Sequence, residues 1–395
     1  MSDTMQFDVI ISGAGPSGSF CAKLLAEKGL HVLLLEAKTL PRYKVGSGWL
    51  TRGVFDLLGW DPSNVRFPIV STSKLVFYSD KLEGIEMVYD GKPVTFGVSR
   101  KWFDYEITKS AETSGAKLLD NQKVKNITIK QDEVIVLAKD EFRSKIVVGA
   151  DGVYSTVALN LGVRTHFDPS EVWLCVCSET DLRASKGEEG VAHLIFADFD
   201  TGYYWFYPKK DKLNFGVATS LEFIINEAKK EHKTNSIVTK ELFENSKKYF
   251  EKLGLLDSSV ELEPQCSHFN PSLYNLNSKK YRVCGNRFVL VGDAIGASNP
   301  LSGEGIYQGM LTSKIASQQI GEALNSEIYS FENYEDEILL ALGKEHNQAD
   351  KTRKMIMPST PGFATYFEIL RSSKQVRKSI LEALYGLTRN RKNTS

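Results

Sequence analysis

"FDVIISGAGPSG", residues 7–18, sets an apolar run directly against three spaced glycines. A short run such as Phe7–Ile11 suits a strand buried on both faces. Residues from about Ser17 to Lys28 follow as a helix ended by Gly29, and "HVLLLEA" (31–37) is a second buried strand. The chain therefore opens with a βαβ unit. Gly13, Gly15 and Gly18 stand in G-x-G-x-x-G spacing, with Ala14, Pro16 and Ser17 between them. Gly13 permits the tight turn, Gly15 lets backbone approach a pyrophosphate, and Gly18 allows close helix–strand packing; the helix N-terminus favours negative charge. Glu36, beside Ala37, ends the second strand, where an acid can accept a ribose hydroxyl. The combination predicts dinucleotide binding without separating NAD from FAD.

Further on, "SKLVFYS", "GIEMVYD" and "KPVTFGV" read as strands, and a helix from Arg100 carries Trp102, Phe103, Ile107 and Ala111 as its apolar residues. "KIVVGADG" returns to the first sheet. Strands fill about 165–280 around one charged helical insert, and the pattern after Glu332 is helical.

Two further stretches carry chemistry. "VGDAIGASNPLSGEGIYQG" (291–309) runs from a strand end at Gly292-Asp293, past Pro300, to Gly303-Glu304-Gly305 and a helix with Ile306 in its first turn. Asp293 suits sugar-like hydroxyls, and the helix start suits a ring that becomes anionic on reduction. "GADGVYSTV" (149–157) contains Asp151 in an Asp-Gly turn. "TGYYWFYP" (201–208) alternates its faces as a strand, with Tyr203, Trp205 and Tyr207 on one and Tyr204 and Phe206 on the other. A core strand packed on both faces and a cavity wall are both compatible with that run.

Lys+Arg and Asp+Glu each number 49, so net charge gives no sign of a nucleic-acid partner. The five cysteines form no C-x-x-C pair, and Cys175 and Cys177 are expected as buried thiols rather than metal ligands. No metal site is expected. The N-terminus lacks a basic n-region and no stretch is long enough to span a membrane, which predicts a cytoplasmic protein, soluble or resting on the membrane's cytoplasmic face.

The three glycine- and aspartate-bearing stretches, in this order, resemble the glutathione-reductase-type FAD fold of aromatic hydroxylases, halogenases and geranylgeranyl reductases. The resemblance covers all but about the last sixty residues. It implies an α/β Rossmann-like FAD-binding domain (1–62, 97–164 and 283–328), an antiparallel β-sheet substrate domain (63–96 and 165–282) and a C-terminal helical region (329–395). It also implies that Asp293 contacts the ribityl chain and that Arg100 helps hold FAD. The chain is similar to geranylgeranyl reductases in particular, whose substrate sheet carries Tyr-x-Trp-x-Phe-Pro and then Gly-x-Gly. Here these are Tyr203, Trp205, Tyr207 and Pro208, followed by Gly216 and Ala218. In "PRYKVGSGWL" (41–50), Lys44 and Gly48 match a flavin-side loop, whereas Gly46 replaces the family's usual Cys and Ser47 a usual Gly. Ala158 and Glu304 depart where Arg and Gly are common, marking a divergent member.

The resemblance implies an FAD-dependent reductase of double bonds in isoprenoid, geranylgeranyl-bearing membrane lipids. The proton donor is Tyr203, Tyr207 or solvent, with Trp205 a wall and Lys44 an influence on flavin or a headgroup anchor. An external donor, NAD(P)H or ferredoxin-like, supplies electrons, and the basic C-terminal segment (Arg371 to Lys392) offers a peripheral membrane contact. The alternative is an FAD monooxygenase or halogenase acting on a small aromatic substrate.

Overall fold

The computed structural model describes residues 6–44, 46–182, 184–185, 187–197, 199, 202–259, 262–272, 281–356 and 363–386. Its first sheet has five parallel strands in the order Phe288–Leu290, Glu141–Gly149, Gln6–Ser12, Val32–Leu35 and Lys117–Leu119. Val9 to Ile11 and Leu33 to Leu35 have no exposed surface, because the sheet has cover on both sides. The glycine-flanked helix, Pro16–Ala26, packs between helices Arg100–Thr113 and Ile306–Ser326. Parallel strands share one direction, so the residues following their carboxyl ends emerge at one edge. Gly13, Glu36, Ala150-Asp151 and Val291-Asp293, far apart in sequence, are brought there together.

A second sheet has seven strands, in the order Cys266–Pro271, Val172–Thr180, Leu213–Ser220, Gly202–Pro208, Val191–Ile195, Lys74–Tyr78 and Gly84–Val88. All neighbours are antiparallel except Val191–Ile195 with Lys74–Tyr78, which run parallel. Strands Trp49–Thr51, Thr95–Val98 and Ile69–Thr72 form a separate small sheet.

The aromatic strand alternates as its sequence requires. Tyr204 and Phe206 pack beneath Phe243 and Phe250. Burial of each such ring contributes roughly 1.5–3 kcal/mol. The charged insert is two helices, Leu221–Lys230 and Asn235–Lys252, not one; Thr234 caps the second by accepting a bond from the Ile237 N–H. On the opposite face, Tyr203, Trp205 and Tyr207 meet Phe363, Phe367, Leu370 and Leu384 from the C-terminal helices Phe363–Ser372 and Lys374–Tyr385. In Arg100–Thr113 the buried face is Phe103, Ile107 and Ala111 with Asp104 and Thr108. Trp102, expected among the apolar residues, is 42% exposed. Three residues would have matched the helical period without it, since Trp102 precedes Phe103 by one position and points elsewhere.

Among the described residues no helix is long and apolar enough to cross a membrane, and no group of three or more His, Cys, Asp and Glu is arranged to hold a metal ion.

Candidate active site

A cavity of about 630 Å³ runs from the first glycine turn to the aromatic strand. Of the residues singled out from sequence, Gly13, Gly15, Pro16, Ser17, Glu36, Ala37, Lys44, Gly48, Arg100, Asp151, Asp293, Gly303, Gly305, Ile306, Tyr203, Trp205 and Tyr207 line it. Ala14, Gly18, Gly292 and Pro300 stand behind the wall. Ala14 donates its N–H to Glu36 Oε2 (3.1 Å), and a Cβ on Gly18 would lie 1.9 Å from the Gly13 carbonyl oxygen. At Gly18 the helix therefore approaches the glycine turn too closely for any side chain.

The geometry suits a dinucleotide. Gly13 has φ +106° and presses on the Ala150 carbonyl. Gly15, by contrast, has no protein atom nearer its absent Cβ than Arg42 Nη2 at 3.9 Å, so its backbone faces open space. It caps the helix Pro16–Ala26, whose first N–H groups lack intrahelical partners and favour an anion. Glu36 is already engaged, because its two oxygens accept from Ala14 N, Lys38 N and the Arg42 guanidinium. A ribose hydroxyl there must share the carboxylate with Arg42.

Around the middle of the cavity the charges are paired. Arg100 clamps Asp104 with two bonds, from Nε (2.7 Å) and Nη2 (2.9 Å), and Arg42 Nη1 lies 3.5 Å from the same carboxylate. Lys209, just past the aromatic strand, is paired with Glu179 beneath Gly48. Gly48 has φ +67° and a Cβ would strike the Val98 carbonyl, which explains the glycine there. Lys44 is accessible within the cavity yet walled by protein, and that burial, with Arg100 nearby, lowers its ammonium pKa. Burial raises the Asp293 carboxyl against the opposing pull of Lys44 and Arg100. Burial likewise raises Asp151, although Ser155 Oγ and the Val157 N–H donate to it. Asp151 thus spends most of its hydrogen-bonding capacity on its own turn.

The far end is apolar and aromatic, lined by Trp173, Phe77, Leu194, Phe196 and Tyr385 beside Tyr203, Trp205 and Tyr207. Trp205 Nε1 donates to Asn214 Oδ1 (2.7 Å), and Tyr203 donates its hydroxyl to the Ser302 carbonyl (2.8 Å). Gly216 lies against the Val176 carbonyl of the next strand, while Ala218 presents its methyl to the cavity.

Sequence reasoning missed Arg42, Trp49, Trp173, His268, Asn270, Glu304 and Tyr385 as lining residues. The alternation of "CSHFNP" offered a signal, since His268 and Asn270 share one strand face. Asn270 donates to the Gly303 carbonyl, whereas Nδ1 of His268 is buried with no hydrogen-bond partner among the described residues. Burial, then Lys44 and Arg100, push His268 down to about 3, so it faces the cavity as a neutral ring.

Comparison with known proteins accords with this arrangement. Residues 6–337 match the FAD binding domain family. A Methanococcoides burtonii protein named digeranylgeranylglycerophospholipid reductase 2 is 28% identical over 358 residues, covering 87% of this chain and 82% of that one. A geranylgeranyl bacteriochlorophyll reductase-like structure from Thermoplasma acidophilum superposes with TM-score 0.74 at 17% identity, over 96% of this chain and 91% of that one. The flavin-dependent brominase Bmp2 superposes with TM-score 0.70 at 19% identity, over 97% and 94%. The two structures, at these identities, speak to fold alone. The glycine cradle, the convergent strand ends and the matched domain define an FAD-dependent oxidoreductase of the glutathione-reductase type. Within that class the chain belongs to the FAD binding domain family, and it is similar to proteins named digeranylgeranylglycerophospholipid reductase.

Proposed function

We propose that the protein reduces carbon–carbon double bonds in the isoprenoid, geranylgeranyl chains of membrane lipids or their precursors. The observation that carries this reading is the continuity of one cavity from the glycine cradle to the aromatic wall. Such a wall gives a long apolar chain contact area without polar groups that need partners. The M. burtonii relative's name supports the same substrate class.

FAD bound there would supply the hydride chemistry, with electrons from an external donor such as NAD(P)H or a ferredoxin-like protein. The chain's residues have the remaining tasks. Gly13, Gly15, Ser17, Glu36, Arg100 and Asp293 hold and orient the dinucleotide, with Lys44 and Gly48 on its loop side. Tyr203, Trp205 and Tyr207 lay the alkene alongside and exclude water, which an unactivated double bond needs more than it needs polarisation. The units 1–62, 97–164 and 283–328 form the cofactor domain in this reading, and 63–96 with 165–282 the substrate domain, closed by 329–395. A peripheral membrane contact through the basic C-terminal segment belongs to it as well. Arg371 and Lys378 are already paired with Glu83 and Asp90, so among the described residues that contact would use the exposed Lys374, while Arg389, Arg391 and Lys392 lie outside them.

The test is anaerobic incubation of the FAD-loaded protein with geranylgeranyl lipids and a chemical reductant, followed by mass spectrometry. A gain of two hydrogens per double bond is expected. Unchanged lipid, together with oxygen incorporation into an aromatic under aerobic NADPH, would move the protein to the monooxygenase class.

A further inference from the structure

Glu304 stands where the family pattern usually has glycine, and none of the tasks above uses its carboxyl. The structure gives it a defined seat. Thr51 Oγ1 donates to its Oε1, and Gln308 Nε2 donates to its Oε2 at 3.2 Å. Its backbone carbonyl accepts the Asn299 N–H at 2.7 Å, fixing the turn that bears it. The side chain lines the cavity with Thr51, Tyr207 and Tyr385. A carboxyl is thus held between Gly303 and Gly305, on the cofactor side, and the tyrosines of the apolar end. Burial, then the charge of Glu304, raise the Tyr385 hydroxyl; Tyr385 in turn weighs on Tyr203 and Tyr207. The other charged groups of this wall are Asp293, against the Gly305 backbone, and beyond it Lys44 and Arg100.

Resting on the double-bond-reductase reading, we propose that Glu304 is the redox-linked proton carrier of the site. It takes up a proton when negative charge arrives at the Gly303–Gly305 turn, and gives it, by way of the Tyr385 hydroxyl, to the alkene carbon that receives no hydride. Like charges side by side disfavour ionisation, so reduction of a ring held at this turn raises the proton affinity of the adjacent carboxylate. The acid is loaded when hydride becomes available and not before.

The step balances. In loading, two electrons enter from the external donor together with two protons: one accompanies the electrons as the hydride to be transferred, and the other, from solvent, forms an O–H bond on Glu304. In delivery, the alkene π pair takes the Tyr385 proton, making one C–H bond, while the hydride pair makes the other. The Tyr385 O–H is remade from the Glu304 carboxyl, which returns to carboxylate as charge leaves the turn.

The test uses the full-length, FAD-loaded chain and Glu304→Gln, which keeps an acceptor for Thr51. The flavin midpoint potential is titrated against pH around neutrality, a measurement that needs no lipid. Wild-type protein is expected to bind about one proton more per two-electron reduction than the variant. Anaerobic reoxidation by geranylgeranyl lipid is expected to slow roughly 100-fold or more in Glu304→Gln, while reoxidation by oxygen changes less than about threefold. Tyr385→Phe keeps the proton uptake and loses the lipid reaction, and Glu304→Asp restores part of both. Equal proton uptake in wild type and Glu304→Gln overturns the inference whatever the substrate is. An uptake difference without lipid reduction by wild type overturns the function proposed above and leaves the proton loading standing. Undiminished lipid reduction in Tyr385→Phe removes that hydroxyl from the path.

Discussion

At the glycine-turn end of the cavity the wall is largely backbone. Gly15 faces open space, Gly13 is held at φ +106°, and Gly18 sits on a carbonyl that a methyl would strike. At the other end the wall is side chain, with Tyr203, Trp205, Tyr207, Trp173, Phe196 and Tyr385 together. A backbone cradle depends on a few positions that accept no added atom, so it fails abruptly. A wall of rings spreads its contribution over many contacts and is expected to weaken by degrees.

The sharpest way to break the comparison is Gly18→Val. With the new Cβ 1.9 Å from the Gly13 carbonyl, FAD affinity should fall by about two orders of magnitude or more, on the order of 3 kcal/mol. Flavin retained through purification, read by visible absorbance, checks this; full occupancy would show that the cradle tolerates what its geometry forbids.

Trp205→Ala should act at the other end only. We expect lipid KM to rise about 10- to 100-fold, from roughly 1.5–3 kcal/mol of lost burial, with FAD content unchanged. Loss of flavin from this variant would erase the distinction between the two ends.

His268 lies between them and supplies a pH test. Its folded pKa, about 3, is below the ordinary 6.5, so the unfolded chain binds the extra proton. Stability contributed by the neutral ring is therefore full above about pH 6.5 and is lost as pH falls from there toward 3. His268→Gln should flatten the fall in thermal midpoint between pH 7 and 5, measured by calorimetry against wild type. An unchanged slope would assign the acid sensitivity elsewhere.

The smallest effect is expected from Lys378→Ala. Its pair with Asp90 is at the surface, where screening removes most of the attraction. The thermal midpoint should move by about 1 °C or less. A larger drop would mean that the C-terminal helices are tethered by charge rather than by Phe367, Leu370 and Leu381.

The same contrast decides what was legible in the sequence. The cradle was readable because Gly13, Gly15, Gly18 and Glu36 are local: one strand, one turn and one helix fix their spacing. The strand ends at Asp151 and Asp293 were brought together by the family resemblance, and the parallel topology supplies the reason, since it fixes where each chain segment emerges. The aromatic run gave its own alternation, yet not its partners. Trp49, Trp173 and Tyr385 reach the cavity from three distant elements, and nothing in their neighbourhoods distinguishes a wall residue from a core residue. The charged insert was seen as one helix because its polar periodicity continues across His232 and Lys233. The break lies in the positive φ of His232 and the cap at Thr234, local features that residue counting overlooks. Glu304 and His268 were visible as letters; their seats became apparent only with Thr51, Gln308, Lys44 and Arg100 around them.

One bond joins the two ends. Tyr203, a ring in the greasy half, holds the Ser302 carbonyl, one residue before the glycine pair that flanks Glu304. A guest that tilts this ring must tug the loop against which the isoalloxazine would rest. Were a long apolar chain to occupy the aromatic end, as proposed above, this single bond would carry its arrival mechanically to the glycine turn.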